Sequence, residues 1–201
     1  MKGTKEFWDQ RYLNHNMGWD IGEVSTPLKE YIDQLTSKDL RILVPGAGNG
    51  YEVSYLFNHG FKSVYALDIS EIPFKKFKKE HPDFPKDQLL IGDFFEFDEM
   101  KFDLILEQTF FCALQPDLRE NYAKKMHALL KDGGVLAGLF FDFELTEDGP
   151  PYGGDIEEYR EVFSKYFHIR KLERAYNSIP PRQGSELFFI FEKKTTLSHG
   201  E

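Results

Sequence analysis

The chain has 201 residues, the length of one domain of ordinary size with room for a sizeable core. Hydrophobic residues make up 41% and aromatics 16%, including twenty phenylalanines, which excludes a disordered chain. A formal net charge of -9 argues against nucleic acid and anionic membranes as partners unless a local basic patch exists, and Cys112, the only cysteine, excludes a disulfide framework or a cysteine metal cluster.

The first residues lack the apolar core of a secretion signal, and no run approaches the ~18 apolar residues of a membrane span, so a cytoplasmic location is expected. No internal repeat or long linker divides the chain, and the expectation is a single domain over residues 1–201. Its parts are an N-terminal cover at 1–36, an α/β core at 37–193 and a frayed tail at 194–201.

In the cover, Phe7, Trp8, Tyr12 and Leu13 stand among charged neighbours, which predicts a short amphipathic helix over residues 6–17. A break at Gly18-Trp19-Asp20-Ile21-Gly22 precedes a second segment, 28–35, with Leu28, Tyr31, Ile32 and Leu35 at apolar spacing. Trp8 and Trp19 serve either as aromatic packing for this cover or as walls of a pocket.

Residues 40–52 organise the rest. A short strand runs into Gly46-Ala47-Gly48-Asn49-Gly50 and the start of a helix over 51–58 that stops near Gly60. Glycines there let the backbone turn tightly and let a ligand approach it, beyond the carboxyl end of a strand. A second strand over 63–67 ends at Asp68, about twenty residues past the glycine turn, where a carboxylate takes hydrogen bonds from ribose hydroxyls. The competing reading of Asp68 is a turn or capping aspartate before Ser70.

Residues 71–80 form a basic amphipathic helix with Phe74 and Phe77 inward and four lysines on a solvated face. A third strand, 89–91, is followed by Asp93 and Phe94, a carboxylate for an adenine amino group beside a ring to pack on the base, or else a loop aspartate with a core phenylalanine. The fourth strand, 101–106, empties into an aromatic loop over 107–114. A helix over 118–130 stops at Lys131-Asp132-Gly133-Gly134.

The fifth strand, 135–141, is almost wholly apolar, as a strand buried on both faces should be. A proline- and glycine-rich loop at 142–154 suits a substrate entrance. Asp155 caps a helix through Tyr159 and Phe163, and strands at 167–172 and 187–191 close a doubly wound α/β sheet at an antiparallel edge.

Several chemistries fail on spacing. The glycine turn is not followed by the Gly-Lys-Ser/Thr of a P-loop and does not match Gly-x-Gly-x-x-Gly, no Gly-x-Ser-x-Gly elbow occurs, and the six histidines lack metal-ligand spacing. A nucleoside-type cofactor held by two carboxylates and a glycine turn remains, which is the arrangement for S-adenosylmethionine. Cys112, set between Phe111 and Ala113, reads as a buried small hydrophobe rather than a nucleophile.

The motifs Val44 to Glu52, Phe102-Asp103-Leu104-Ile105, Thr109-Phe110-Phe111-Cys112-Ala113-Leu114, Leu129 to Gly134 and Gly149-Pro150-Pro151-Tyr152 together resemble the thiopurine S-methyltransferase family, closest to its thiol and halide branch. The resemblance implies a seven-stranded class I methyltransferase sheet with the last strand antiparallel. It also implies methyl transfer from S-adenosylmethionine, released as S-adenosylhomocysteine, to a small soft nucleophile: a thiol, sulfide, halide or thiopurine. By family position, Trp8, Tyr12, Gly46, Gly48, Asp68, Ile69, Asp93, Phe94 and Glu107 contact the cofactor.

Trp19, Gln108, Tyr152 and Arg182 then face the substrate. Where thiopurine-methylating members carry an arginine, this chain has Gln108, which removes a positive contact and favours a smaller acceptor. Asp142, Glu107 and Tyr152 are the candidate proton acceptors for a basic thiol. Nitrogen or oxygen methylation of a metabolite stays open as an alternative, as does a non-catalytic cofactor-binding protein. The partner expected is a small-molecule acceptor, without nucleic acid, membrane or metal, and a monomer is slightly favoured.

Overall fold

Ile42, Leu43 and Val44 have almost no exposed surface on either side of their strand, so β1 (Arg41–Pro45) needs a neighbour on both edges and a layer on both faces. A computed structural model, which describes residues 3–145 and 147–195, supplies both. β1 pairs in parallel with β2 (Ser63–Asp68) on one edge and β4 (Phe102–Gln108) on the other. Parallel pairing continues outward to β3 (Leu89–Ile91) and to β5 (Leu130–Phe141). β7 (Glu186–Lys193) then pairs antiparallel with β5 and with the edge strand β6 (Phe167–Arg174).

The order is therefore β3-β2-β1-β4-β5-β7-β6, the expected seven-stranded doubly wound sheet with its last strand antiparallel. Strand order reverses between β1 and β4. That reversal leaves a crevice beyond the carboxyl ends of the strands, the place where open α/β sheets bind ligands.

Two cores face each other across the sheet. One joins Leu43, Ile105, Phe140 and Phe189 to α5 (Arg119–Leu129) and α6 (Ile156–Ser164) through Tyr122, Met126, Tyr159 and Phe163. Phenylalanines dominate this core: Phe140 stacks on Phe189 at 4.0 Å between centroids, and Phe163 on Phe140 at 5.2 Å. The other core joins Ile42, Val44, Leu104 and Leu106 to α2 (Thr26–Asp33), α3 (Tyr51–Asn58) and α4 (Ile72–Glu80).

Three boundaries differ from the sequence-based expectation in ways that bear on the site, beside shifts of one or two residues in α2, β6 and β7. The first helix, α1, runs Lys5–Leu13 rather than to residue 17, because His15 takes a positive φ of 54° and turns the chain. β4 continues through Glu107 and Gln108, which were expected in a loop, because Gly138 and Leu139 of β5 pair with them. β5 begins at Leu130, opposite Phe102, and Lys131 to Gly134 bulge out before Val135 pairs with Leu104. Residues 196–201 of the expected frayed tail lie outside the described residues. Among the described residues no helix is long and apolar enough to cross a membrane.

Candidate active site

A cavity of about 610 Å³ fills the crevice at the reversal point, within the ~300–1,000 Å³ of small-molecule pockets. Each parallel strand delivers residues to it: Gly46 after β1, Asp68 at the end of β2, Asp93 and Phe94 after β3, Thr109 after β4 and Phe141 at the end of β5. The N-terminal cover closes it with Trp8, Arg11, Tyr12 and Trp19, and Arg182 enters from the connection between β6 and β7.

The glycine turn is built as its spacing demands. Gly46, Gly48 and Gly50 all have positive φ, and a Cβ on Gly46 would stand 2.4 Å from the Phe110 ring. The Gly48 amide does not line the cavity itself; it donates to Asp68 Oδ2 at 2.9 Å. The Ser70 amide donates to Oδ1 at 2.8 Å. Asp68 is thus pinned in one orientation at the cavity wall, and burial pushes its carboxyl up to about 6 despite these two donors.

Asp93 Oδ1 accepts the Phe95 amide at 2.7 Å, which fixes its tight turn. Buried Phe94 meets Phe110 edge-to-face at 5.1 Å.

The cover is latched to the loops after β1 and β2 rather than resting on them. Ser70 Oγ donates to Asp9 Oδ1 on α1 at 2.6 Å. Asp20 Oδ2 accepts from Asn49 Nδ2 in the glycine turn and from the Tyr51 hydroxyl at 3.1 Å. Trp19 is boxed edge-to-face by Trp8 at 5.4 Å and Tyr12 at 5.8 Å. Its carbonyl accepts from Arg182 Nη2 at 2.8 Å.

Of the sequence-predicted site residues, Trp8, Tyr12, Trp19, Gly46, Asp68, Ile69, Asp93, Phe94 and Arg182 come together on this one cavity. Four do not. Glu107 shares the Ile105 face of β4 by strand alternation and is fully buried, accepting the Phe110 and Phe111 amides and the Tyr122 hydroxyl. Gln108 turns to the opposite face, where Ser25 Oγ of the α2 cap donates to its Oε1 at 2.9 Å.

Asp142 pairs with Arg174 of β6 outside the cavity lining. Tyr152 is buried with its ring against Gly149, also off the lining. None of these four presents a group to the cavity as placed.

Sequence reasoning missed Arg11 and Thr109 as lining residues. Arg11 lies three residues past Trp8 on one helix, a spacing that puts both on one face, and its guanidinium stands 4.9 Å from Phe7 and 5.9 Å from Trp19. Thr109 carries no sequence signal for its φ of 57°, since a β-branched residue is a poor candidate for that region.

The lining fits S-adenosylmethionine on its own chemistry. Two carboxylates offer acceptors to hydroxyl and amino groups, a glycine turn leaves its backbone bare, and Phe94, Trp8 and Tyr12 offer aromatic surface. Comparison with known proteins agrees. Thiopurine S-methyltransferase (TPMT) is the family whose model matches, over residues 3–199.

The chain is 31% identical over 195 residues to the probable thiol methyltransferase 2 of Arabidopsis thaliana, covering 94% of this chain and 86% of that protein. It is 33% identical over 185 residues to thiocyanate methyltransferase 1 of the same plant, covering 89% and 81%. Among solved structures, the 1,6-didemethyltoxoflavin-N1-methyltransferase of Burkholderia thailandensis, with bound S-adenosylhomocysteine, superposes with a TM-score of 0.76. That likeness covers 95% of this chain and 87% of the other at 19% identity, and it speaks to the fold. With a family match across nearly its whole length and relatives above 30% identity, this chain belongs to the thiopurine S-methyltransferase family of S-adenosylmethionine-dependent methyltransferases.

Proposed function

We propose that this enzyme methylates a small sulfur nucleophile that arrives already ionised, a thiolate or a thiocyanate-like anion. The observation that carries this reading is the charge arrangement of the cavity. Its lining carboxylates, Asp68 and Asp93, follow β2 and β3, while Arg182 sits at the opposite end, its guanidinium 5.5 Å from the Phe141 ring at the end of β5. Arg182 Nη2 donates to the Trp19 carbonyl beside Phe141, while its Nη1 pairs at 3.5 Å with buried Glu186 behind the lining, so the acceptor would meet a guanidinium already shared with one carboxylate.

S-adenosylmethionine supplies an electrophilic sulfonium methyl, so an anionic sulfur needs alignment and exclusion of water rather than a base. Asp68 would hold the ribose, Asp93 and Phe94 the adenine, and the turn at Gly46 the methionine end. Arg182 would face the acceptor anion, and Trp8, Tyr12 and Trp19 would close the site over both. The Asp142, Glu107 and Tyr152 candidates for a base are not part of this reading: Asp142 is paired with Arg174, Glu107 is bonded to Tyr122 and two amides, and Tyr152 lies off the cavity lining. A cytoplasmic enzyme without a nucleic-acid partner suits the formal charge of -9.

The test is a panel of thiocyanate, sulfide, methanethiol, an aromatic thiol, a thiopurine, iodide and a simple amine, each incubated with enzyme and S-adenosylmethionine. S-adenosylhomocysteine release is followed by mass spectrometry. Turnover of the small sulfur and halide anions ahead of the thiopurine is expected. Turnover of the amine alone would overturn the acceptor assignment and leave the cofactor assignment standing.

A further inference from the structure

Glu107 lies beneath the cavity and is built into it with care. Its Oε1 accepts the Phe110 amide at 2.8 Å and the Phe111 amide at 2.9 Å, and its Oε2 accepts the Tyr122 hydroxyl of α5 at 2.5 Å. Burying a carboxylate is costly, and these three donors offset part of the lost hydration. The neighbouring strand makes room: Gly138 pairs with Glu107, and a Cβ there would stand 2.6 Å from the Glu107 Cβ.

What the three bonds hold is a turn that its own sequence disfavours. Thr109 is β-branched, yet its φ is 57°, a region such a residue enters only when its surroundings enforce it. The two amides that Glu107 binds belong to the residues immediately after Thr109. Thr109 itself lines the cavity. Phe110 touches both halves of the cofactor wall, since it is the ring that a Cβ on Gly46 would strike and it packs on Phe94.

The geometry points to Glu107 as a positioning residue: through the Thr109–Phe110 turn it fixes the wall between the glycine turn and Phe94, and so sets the acceptor against the methyl donor. The inference rests on the methyl-transfer reading above. It places Glu107 in contact with neither cofactor nor acceptor.

Three variants separate this role from simple stabilisation. Glu107→Gln keeps an oxygen for the two amides and a nitrogen for Tyr122, and should retain most of kcat. Glu107→Met removes every acceptor and should lower kcat at least about tenfold at similar acceptor KM, the effect of a small misplacement at the reacting centre. Adding Thr109→Gly, which accepts the left-handed turn unaided, should then recover much of that loss.

Hydrogen exchange of the Phe110 and Phe111 amides in the free enzyme should accelerate in Glu107→Met and stay slow in Glu107→Gln, a readout that needs no turnover. An enzyme inactive on every sulfur acceptor would therefore sink the functional reading while this measurement still decided the positioning role. Unchanged amide protection in Glu107→Met, unchanged kcat, or a kcat loss that glycine at 109 does not relieve would overturn the inference. If Glu107→Met does not fold, Tyr122→Phe takes its place. That variant removes one hydroxyl, and an unaltered kcat and unaltered exchange in it would overturn the inference equally.

Discussion

At the scale of single residues, Asp68 shows how burial and function pull against each other. Its carboxyl sits near 6 in the folded chain because burial penalises the charge, while the Gly48 and Ser70 amides pull in the opposite direction. In the proposed cofactor pose, ribose hydroxyls would donate to this carboxylate and favour its ionised form, so a proton would compete with the cofactor. Affinity for S-adenosylhomocysteine should be flat above pH 7 and weaken by up to about tenfold per pH unit below about 6. Asp68→Asn should weaken binding at pH 7.5 by roughly 10–100-fold, as expected for hydrogen bonds to a charged group, and should abolish that acid limb. Titration calorimetry at pH 5.5, 6.5 and 7.5 checks both, and a variant that binds within threefold of the native enzyme would remove Asp68 from the site.

At the scale of elements, the cover matters most, because α1 and the loop to Asp20 are tied at two points to the glycine turn and the loop after β2, which border the cavity. Breaking one latch should loosen the cover without disturbing the sheet. Asp20→Ala should speed S-adenosylhomocysteine release by about 3–10-fold, the worth of one or two hydrogen bonds, with Tm little changed. The two tryptophans of the chain, Trp8 and Trp19, both line the cavity, so stopped-flow fluorescence reads this step directly. An unaltered release rate would mean that the cover does not gate the site. The same element marks the limit of what sequence reveals. β1, β2 and β3 were legible because apolar runs end in Gly46, Asp68 or Asp93, and a parallel βαβ order carries all three to one edge. The end of β4 was not, because Glu107 and Gln108 are polar and only pairing with Gly138 and Leu139 keeps them in the sheet. Strand alternation then decides that Glu107 turns under the cavity and Gln108 toward Ser25, and Asp142 is claimed by Arg174, 32 residues away. Such commitments are tertiary, and a residue's type alone does not announce them.

At the scale of the whole molecule, four carboxylates among the described residues are buried in and around one crevice, Glu52, Asp68, Glu107 and Glu186, burial raises each of them, and together they set how stability responds to pH. Burial raises Glu52 and Glu107 to about 7 and Asp68 to about 6, all above their unfolded values. A carboxyl raised on folding binds more protons in the native state, so its stabilising effect is complete below the unfolded pKa and is lost as pH rises through the folded one. Surface carboxylates act the other way. Glu120, held low by the Tyr166 hydroxyl and Lys165, and Glu192, held low by Arg170, lose their contribution as pH falls below about 4. The cofactor-free protein should therefore be most stable near pH 5 and less so at pH 7.5. Glu52 offers the cleanest test, because it is buried on α3 yet lies off the cavity lining, with Arg182 easing its charge and Asp20 opposing it. Glu52→Gln should raise Tm at pH 7.5 by about 7 °C and at pH 5 by only about 2 °C, reading a pKa displacement of this size through the usual entropy of a 200-residue fold. Thermal melts of both proteins at the two pH values, without cofactor, decide it. A gain of equal size at both would show that Glu52 destabilises the fold through packing rather than through its charge, and no gain at either would show that water or a nearby donor already compensates the ionised carboxylate.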